Sequence, residues 1–289
     1  MAKKYYSKVL LFGEYTVTQG SGALAMPYSG HWGCWDFDFG NTSEQKGLQI
    51  LFEHLSMSVK LKSLYNLRKF KEDLESGLIF RSNIPQGYGL GSSGALVAGT
   101  YDRYGAHKTE DIVILKHVLA ETESAFHGSS SGVDPLVSYL NIPVLINAGG
   151  QIKEVSFEIN KHKIYLIDTG IARKTDLFIE IFKNKLNTDT LFQNAIKNLS
   201  RINQKAINAV IANDSLGLFS AFGQISSIQF EYFKEMIPEC LLASWQSGLD
   251  LGECFLKLCG AGGGGMMLCM AKPSKDLPDE IKTFPLLEL

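Results

Sequence analysis

The 289-residue chain is 45% hydrophobic and 20% charged, a composition that sustains a large buried core and excludes a disordered tail or a disulfide-stapled miniprotein. Its 28 basic and 30 acidic side chains leave a net charge of −2. With no run of five like charges, nothing suggests a basic footprint for nucleic acid or for an anionic membrane.

At about 150 residues per domain, the length predicts two domains. Residues 7–12, a short β-branched and apolar run, predict a strand that ends in Gly13-Glu14-Tyr15 and a polar turn at 19–22. The alternating aromatics Trp32, Trp35, Phe37 and Phe39 predict the core face of a strand. A strand at 78–80 leads through the loop 83–94 into an apolar helix over 95–104. The next helix spans 110–127, with Thr109 as N-cap, Glu110 and Asp111 in its first turn and Gly128 as its stop. Asp134-Pro135 reads as N-cap and first residue of a short helix, because proline's missing N–H costs nothing there. Gly149-Gly150 marks a domain boundary, giving domains 1–150 and 151–289. Beyond it the pattern predicts a strand at 163–168 and helices over 190–213, 215–235 and 238–248. Two strands, 255–259 and 266–271, then flank a turn of six small residues, 260–265.

Cys34, Cys240, Cys254, Cys259 and Cys269 are odd in number and include no C-x-x-C pair, which fits reduced thiols in a cytoplasmic protein. The apolar run 9–12 is too short for a signal peptide. The long uncharged stretches 15–35 and 135–152 are broken by Gly, Ser, Asn or Pro, so no membrane span is expected. The six histidines show no metal-ligand spacing.

Gly89-Leu90-Gly91-Ser92-Ser93-Gly94 formally matches G-x-G-x-x-G. A dinucleotide fold would follow that loop with a compact βαβ unit and an acidic ribose partner, whereas here a second helix follows Arg103-Tyr104-Gly105. No G-K-[ST], H-R-D or D-F-G accompanies it, so the Walker and protein-kinase patterns fail too. The physical content of the loop remains: small residues admit an anion close to the backbone, and Ser92 and Ser93 sit at a helix N-terminus whose free N–H groups favour phosphate. A helix simply capped by serine is the plain alternative.

Two further segments decide between them. Lys8-Val9-Leu10-Leu11-Phe12-Gly13-Glu14-Tyr15, Pro85-Gln86-Gly87-Tyr88-Gly89-Leu90-Gly91-Ser92-Ser93-Gly94-Ala95 and Lys257-Leu258-Cys259-Gly260-Ala261-Gly262-Gly263-Gly264-Gly265 resemble, in order and spacing, the three motifs of the GHMP small-molecule kinase superfamily. His127-Gly128-Ser129-Ser130-Ser131-Gly132-Val133-Asp134 is similar to the loop that carries the catalytic aspartate in the mevalonate kinase branch. Tyr15 stands where that branch usually has histidine, Gly94 where it has alanine and Ser130 where it has proline. Glu14-Tyr15 and Ser92-Ser93-Gly94 look more like phosphomevalonate kinase.

The resemblance implies an α+β, two-domain fold with a ribosomal-protein-S5-like N-terminal domain and a ferredoxin-like C-terminal domain. It implies transfer of the γ-phosphoryl group of ATP, with Mg²⁺, to a small alcohol, mevalonate being favoured. Phosphomevalonate or another acceptor is the alternative, and a non-catalytic nucleotide-binding protein of the same fold the less favoured one. By the same resemblance Asp134 and Lys8 are catalytic, and Pro85, Gly87, Gly89, Leu90, Gly91, Ser92, Ser93 and Gly94 wrap the nucleotide phosphates. Ser93 and Glu123 hold the metal, with Glu121 as the register alternative. Glu14, Tyr15, Gly132, Thr169, Arg173, Gly260, Ala261 and Gly262 border the acceptor. A cytoplasmic monomer or homodimer is expected, with a small-molecule substrate and neither nucleic acid nor membrane as partner.

Overall fold

The computed structural model describes residues 2–39, 42–128, 130–172 and 175–289. In chain order they form β1 (Tyr5–Phe12), a 3₁₀ turn (Thr16–Gln19), β2 (Ala23–Phe37), α1 (Thr42–Met57), α2 (Leu67–Glu75), β3 (Leu78–Ser82), α3 (Ser92–Tyr104), α4 (Ile112–His127), α5 (Val133–Leu140), β4 (Val144–Ile146) and β5 (Ile152–Glu154). There follow β6 (Ile164–Asp168), α6 (Thr175–Thr188), α7 (Thr190–Ile211), α8 (Ser215–Tyr232), α9 (Glu239–Leu251), β7 (Cys254–Leu258), β8 (Met266–Ala271), α10 (Asp279–Lys282) and β9 (Leu286–Glu288). The class is α+β. The chain divides into two compact units: Met1–Lys8, Met26–Pro85 and Leu90–Ile142 form the first, and Val9–Ala25, Gln86–Gly89 and Pro143–Leu289 the second.

In the first unit β2 pairs antiparallel with β3, from Gly33 opposite Ser82 to Phe37 opposite Leu78. Helices α2 and α3 meet where Phe70 stacks on Tyr104 at 4.4 Å, and strands β2 and β3 where Trp35 meets Phe80 edge-on at 5.0 Å. Helix α3 buries Gly94, Ala95, Val97, Ala98, Gly99 and Thr100, so neighbouring backbone can approach it closely. The predicted aromatic core face on β2 holds only in part, because Phe37 and Phe39 are 47% and 80% exposed. Helix α4 starts two residues later than predicted, and its cap is Asp111, not Thr109. The Asp111 carboxylate accepts from the amides of Val113 and Ile114, whereas the Thr109 hydroxyl accepts from Asp111 itself. An ionised oxygen opposite the helix dipole is the stronger cap.

In the second unit Ala23–Ala25 of β2 pair with β4, which pairs with β5. A separate antiparallel sheet runs in the order β7-β8-β6-β9. Every residue of β8 is buried, as expected for an inner strand covered on both faces. Helix α7 buries a stripe at Phe192, Ala195, Ile196, Leu199, Ile202, Ala206 and Ile207, the three-and-four spacing of an amphipathic helix. Asp189 and Asp214 cap α7 and α8 through their carboxylates. Helix α8 ends at Tyr232, short of the predicted 235, where the backbone tightens into a 3₁₀ turn (Lys234–Met236). Among the described residues no helix is long and apolar enough to cross a membrane, and all five cysteines are free thiols.

Candidate active site

In the first unit the chemistry gathers at the start of α5. Asp134 is not the N-cap that its Asp-Pro sequence predicts: Gly132, at φ +72°, takes the cap position, leaving Asp134 and Pro135 second and third in the helix. Proline is still tolerated, since first-turn amides have no partner within the helix. Released from capping, the Asp134 carboxylate accepts from Lys8 Nζ at 2.7 Å. The lysine side chain is nearly buried, at 8% exposure, while that of Asp134 keeps 30% and can be reached from outside. The Lys8 amide donates to the Leu90 carbonyl at 2.8 Å, so one residue fixes both the glycine loop and the acid.

Two glycines set the distance between α3 and that acid. A Cβ at Gly94 would lie 2.8 Å from the Asp134 carbonyl carbon and 2.9 Å from both its Cβ and the Pro135 nitrogen, and one at Gly91 would lie 3.3 Å from the Asp134 carboxylate. Gly87, Gly89 and Gly91 take φ of +78°, +74° and +73°, a left-handed alternation that turns successive amides toward one side, as anion-binding loops require.

At the opening of α3, Ser93 Oγ donates to Glu123 Oε1 at 2.8 Å. Ser130 Oγ donates to the other oxygen of the same carboxylate and accepts from the Gly132 amide at 2.9 Å. Glu123 is 5% exposed. A buried carboxylate ringed by hydroxyls is a hard-oxygen set of the kind magnesium takes. Glu121 instead faces Lys60 at 3.1 Å on the surface. Among the described residues no cluster of three or more His, Cys, Asp or Glu side chains is arranged to hold a metal.

In the second unit Glu14 is 2% exposed and ion-paired with Lys257, which is wholly buried and also donates to the Leu258 carbonyl at 2.8 Å. Tyr15 adopts φ +61°, uncommon for a residue with a side chain. It stacks on Phe182 at 4.6 Å, and its hydroxyl donates to the Ala261 carbonyl at 2.6 Å. The glycine turn is bound on several sides: Thr169 donates through both its amide and its hydroxyl to the Gly265 carbonyl, at 3.1 and 2.8 Å, and the Gly263 amide donates to the Met236 carbonyl at 2.6 Å. A Cβ at Gly265 would fall 2.6 Å from the Tyr88 Cα, so this turn packs directly on the backbone of residues 86–89.

Residues 58–141 match the model of the GHMP kinases N terminal domain. Over that segment the chain is similar to the GHMP kinases. It is 28% identical over 206 residues to a mevalonate kinase of Thermococcus sibiricus (strain DSM 12597 / MM 739); the match takes in 66% of this chain and 58% of the length of that relative. Its fold is similar to that of L. major mevalonate kinase solved in complex with R-mevalonate, with a TM-score of 0.67 and 18% identity over 98% of this chain and 91% of that one. The Streptococcus pneumoniae phosphomevalonate kinase is similarly close in fold, with a TM-score of 0.68 and 14% identity over 100% and 98% of the two chains.

The first unit brings together Lys8, Leu90, Gly91, Ser93, Gly94, Glu123, Gly132 and Asp134, and the second brings together Glu14, Tyr15, Thr169, Ala261 and the glycine turn. Arg173 lies outside the described residues. Three participants escape sequence reasoning. Ser130 looks like one more loop serine, and Tyr88 enters only through its backbone. Lys257 had a visible signal, a lone charge between apolar neighbours in Cys254–Leu258.

Proposed function

We propose that this protein is an ATP-dependent small-molecule kinase that moves the γ-phosphoryl group of ATP to an alcohol, with mevalonate as the favoured acceptor and Mg²⁺ as the metal. The observation that carries this reading is the Lys8–Asp134 ion pair, held against the start of α3 where the glycine loop ends. Phosphoryl transfer needs positioning and charge stabilisation more than covalent help. Asp134 orients the acceptor hydroxyl and takes its proton as the new O–P bond forms, and Lys8 offsets the negative charge that builds on the transferring group. The amides of the loop 87–93 receive the nucleotide phosphates. Ser93 and Glu123 would hold magnesium, which when bound neutralises charge on those phosphates.

For the acceptor, residues 14–22 carry no Lys or Arg, which favours an alcohol without a phosphate of its own over phosphomevalonate. The 28% identity to the Thermococcus sibiricus mevalonate kinase supports the same choice. Free thiols at all five cysteines support a reducing, cytoplasmic setting. The test is ADP release from MgATP with mevalonate, phosphomevalonate, homoserine and galactose offered separately, against an acceptor-free control. Turnover with mevalonate that Asp134→Asn abolishes, in a variant that still binds ADP, is the expected result. Unchanged turnover in that variant removes Asp134 from the mechanism, and a preference for phosphomevalonate transfers the assignment to that acceptor.

A further inference from the structure

The second unit contains a cavity of about 680 Å³ whose walls include the turn 19–22 and one face of α7. That volume lies within the range of small-molecule sites. Glu14, Tyr15, Thr169 and the turn 260–265 take no part in its lining, so it is separate from the acceptor-side residues of the same unit. Lys197 and Arg201 line it four residues apart on α7, and no lining residue is acidic. Residues at that spacing stand about 5–6 Å apart on a helix surface.

The hydrogen-bond inventory of the walls singles out these two cations. Ser200 is committed to the Ile196 carbonyl, Gln193 to the Leu186 carbonyl and Gln204 to Asn208. Arg201 spends one nitrogen on Asn198 and otherwise has its donors free, and Lys197 has no ion pair or hydrogen bond among the described residues. Two neighbouring positive charges with spare donors and no counter-charge call for a dianion. A phosphomonoester carries about −1.5 to −2 at neutral pH and matches them, which a single carboxylate does not. Leu186, Ile196 and Ala148 leave an apolar remainder of the cavity, room for a small organic body behind the phosphate.

We infer that this cavity is a binding site for a small organic phosphate, its phosphate held between Lys197 and Arg201 and its body lodged against Leu186 and Ile196. The site has a direct route to Tyr15. Asn203, on the same helix, donates to the Thr16 hydroxyl at 3.0 Å, and Thr16 begins the 3₁₀ turn that joins Tyr15 to the cavity wall at Gln19.

Titration calorimetry with saturating ADP, to occupy the glycine loop, tests this with inorganic phosphate, pyrophosphate and glycerol 3-phosphate as probes. Lys197→Ala/Arg201→Ala removes the charge at exposed helix positions that tolerate alanine, and Ser200→Trp fills the volume while keeping both cations. Expected is millimolar or tighter binding of glycerol 3-phosphate by the parent, weakened at least about tenfold in both variants while ADP affinity is unchanged. No binding by the parent, or affinity in Lys197→Ala/Arg201→Ala within about twofold of the parent, overturns the site. Loss in the charge variant with full retention in Ser200→Trp also overturns it, because the anion would then be held by surface charge outside the cavity. Inorganic phosphate binding as tightly as glycerol 3-phosphate removes the role of the apolar wall. None of these readouts depends on phosphoryl transfer, so the site stands or falls independently of the kinase reading.

Discussion

Gly94→Ala is the most informative single substitution, because it introduces the residue that mevalonate kinases usually carry there. The new methyl carbon would sit 2.8–2.9 Å from two backbone atoms of Asp134-Pro135 and from the Asp134 Cβ. Ordinary carbon contacts lie near 3.5–4.0 Å, so α3 and the start of α5 must separate by about 0.6 Å or more. Backbone cannot swing aside as a flexible side chain can, and overpacking of this kind costs about 1–3 kcal/mol. Alanine repays about 1 kcal/mol of helix propensity, leaving a net loss between about zero and 2 kcal/mol. The functional effect is larger than the stability effect, because the displaced residue is Asp134, whose 2.7 Å contact with Lys8 depends on that separation. Misplacement by a large fraction of an ångström costs catalytic power of up to about 100-fold. Urea unfolding and steady-state kinetics on the same preparation measure both. A variant that is about 1 kcal/mol more stable and turns over at the parental rate would refute the close-packing account.

The buried ion pair of the second unit makes a separate prediction. Lys257→Met removes the ammonium that faces the buried Glu14 charge and is expected to cost about 3–5 kcal/mol in urea unfolding, while Glu14→Leu/Lys257→Met recovers most of that loss; a single variant within about 1 kcal/mol of the parent would refute it. A third prediction concerns acid. Burial raises the pKa of Asp102, but bonds from Lys3, Lys108 and Tyr5 outweigh it and bring the carboxyl from 3.8 down to about 2. A carboxyl with a lowered folded-state pKa stabilises the protein above its unfolded value and loses that contribution as pH falls through the folded one. Asp102→Asn should therefore lose less stability than the parent between about pH 4 and pH 2, and parallel pH profiles would count against it.

Much of the scaffold was open to reading because it depends on local rules. The six small residues 260–265 between two apolar runs had to be a turn, and β7 and β8 flank it with Leu256 opposite Cys269. Helix α7 was legible from its apolar stripe and, at its start, from Asp189. Other elements depend on tertiary partners and stayed hidden. β2 runs fifteen residues through Pro27 and two glycines, and periodicity alone does not extend a strand across such residues. Helix α1 has charged and apolar residues mixed along its length and no strong stop, and α2 is nine residues long with Phe70 as its buried anchor.

The two halves of the chemistry differ in legibility for the same reason. On the proposed phosphate side, the residues are of types that announce such chemistry: left-handed glycines, a serine opening a helix, a lysine at a strand edge and an aspartate two residues after a glycine. Each sits in a short segment whose residue types are recognisable on their own, although Lys8 and Asp134 meet from distant parts of the chain. On the proposed acceptor side, the contacts that set the geometry join positions more than 240 residues apart, as Glu14 joins Lys257 and Tyr15 joins the Ala261 carbonyl. No local pattern encodes such a pairing. It also changes what the acidic residue can do, because a carboxylate tied to a fully buried ammonium is held in place. Glu14 and Lys257 together therefore act as a strut between the segment after β1 and strand β7, which leads into the glycine turn, and under the proposed function any acceptor that meets Glu14 meets a charge already shared with Lys257. Under the proposed function, that sharing lowers the demand for a cationic acceptor and leaves recognition to neutral donors and to the turn's own backbone, as a hydroxyl-bearing substrate requires.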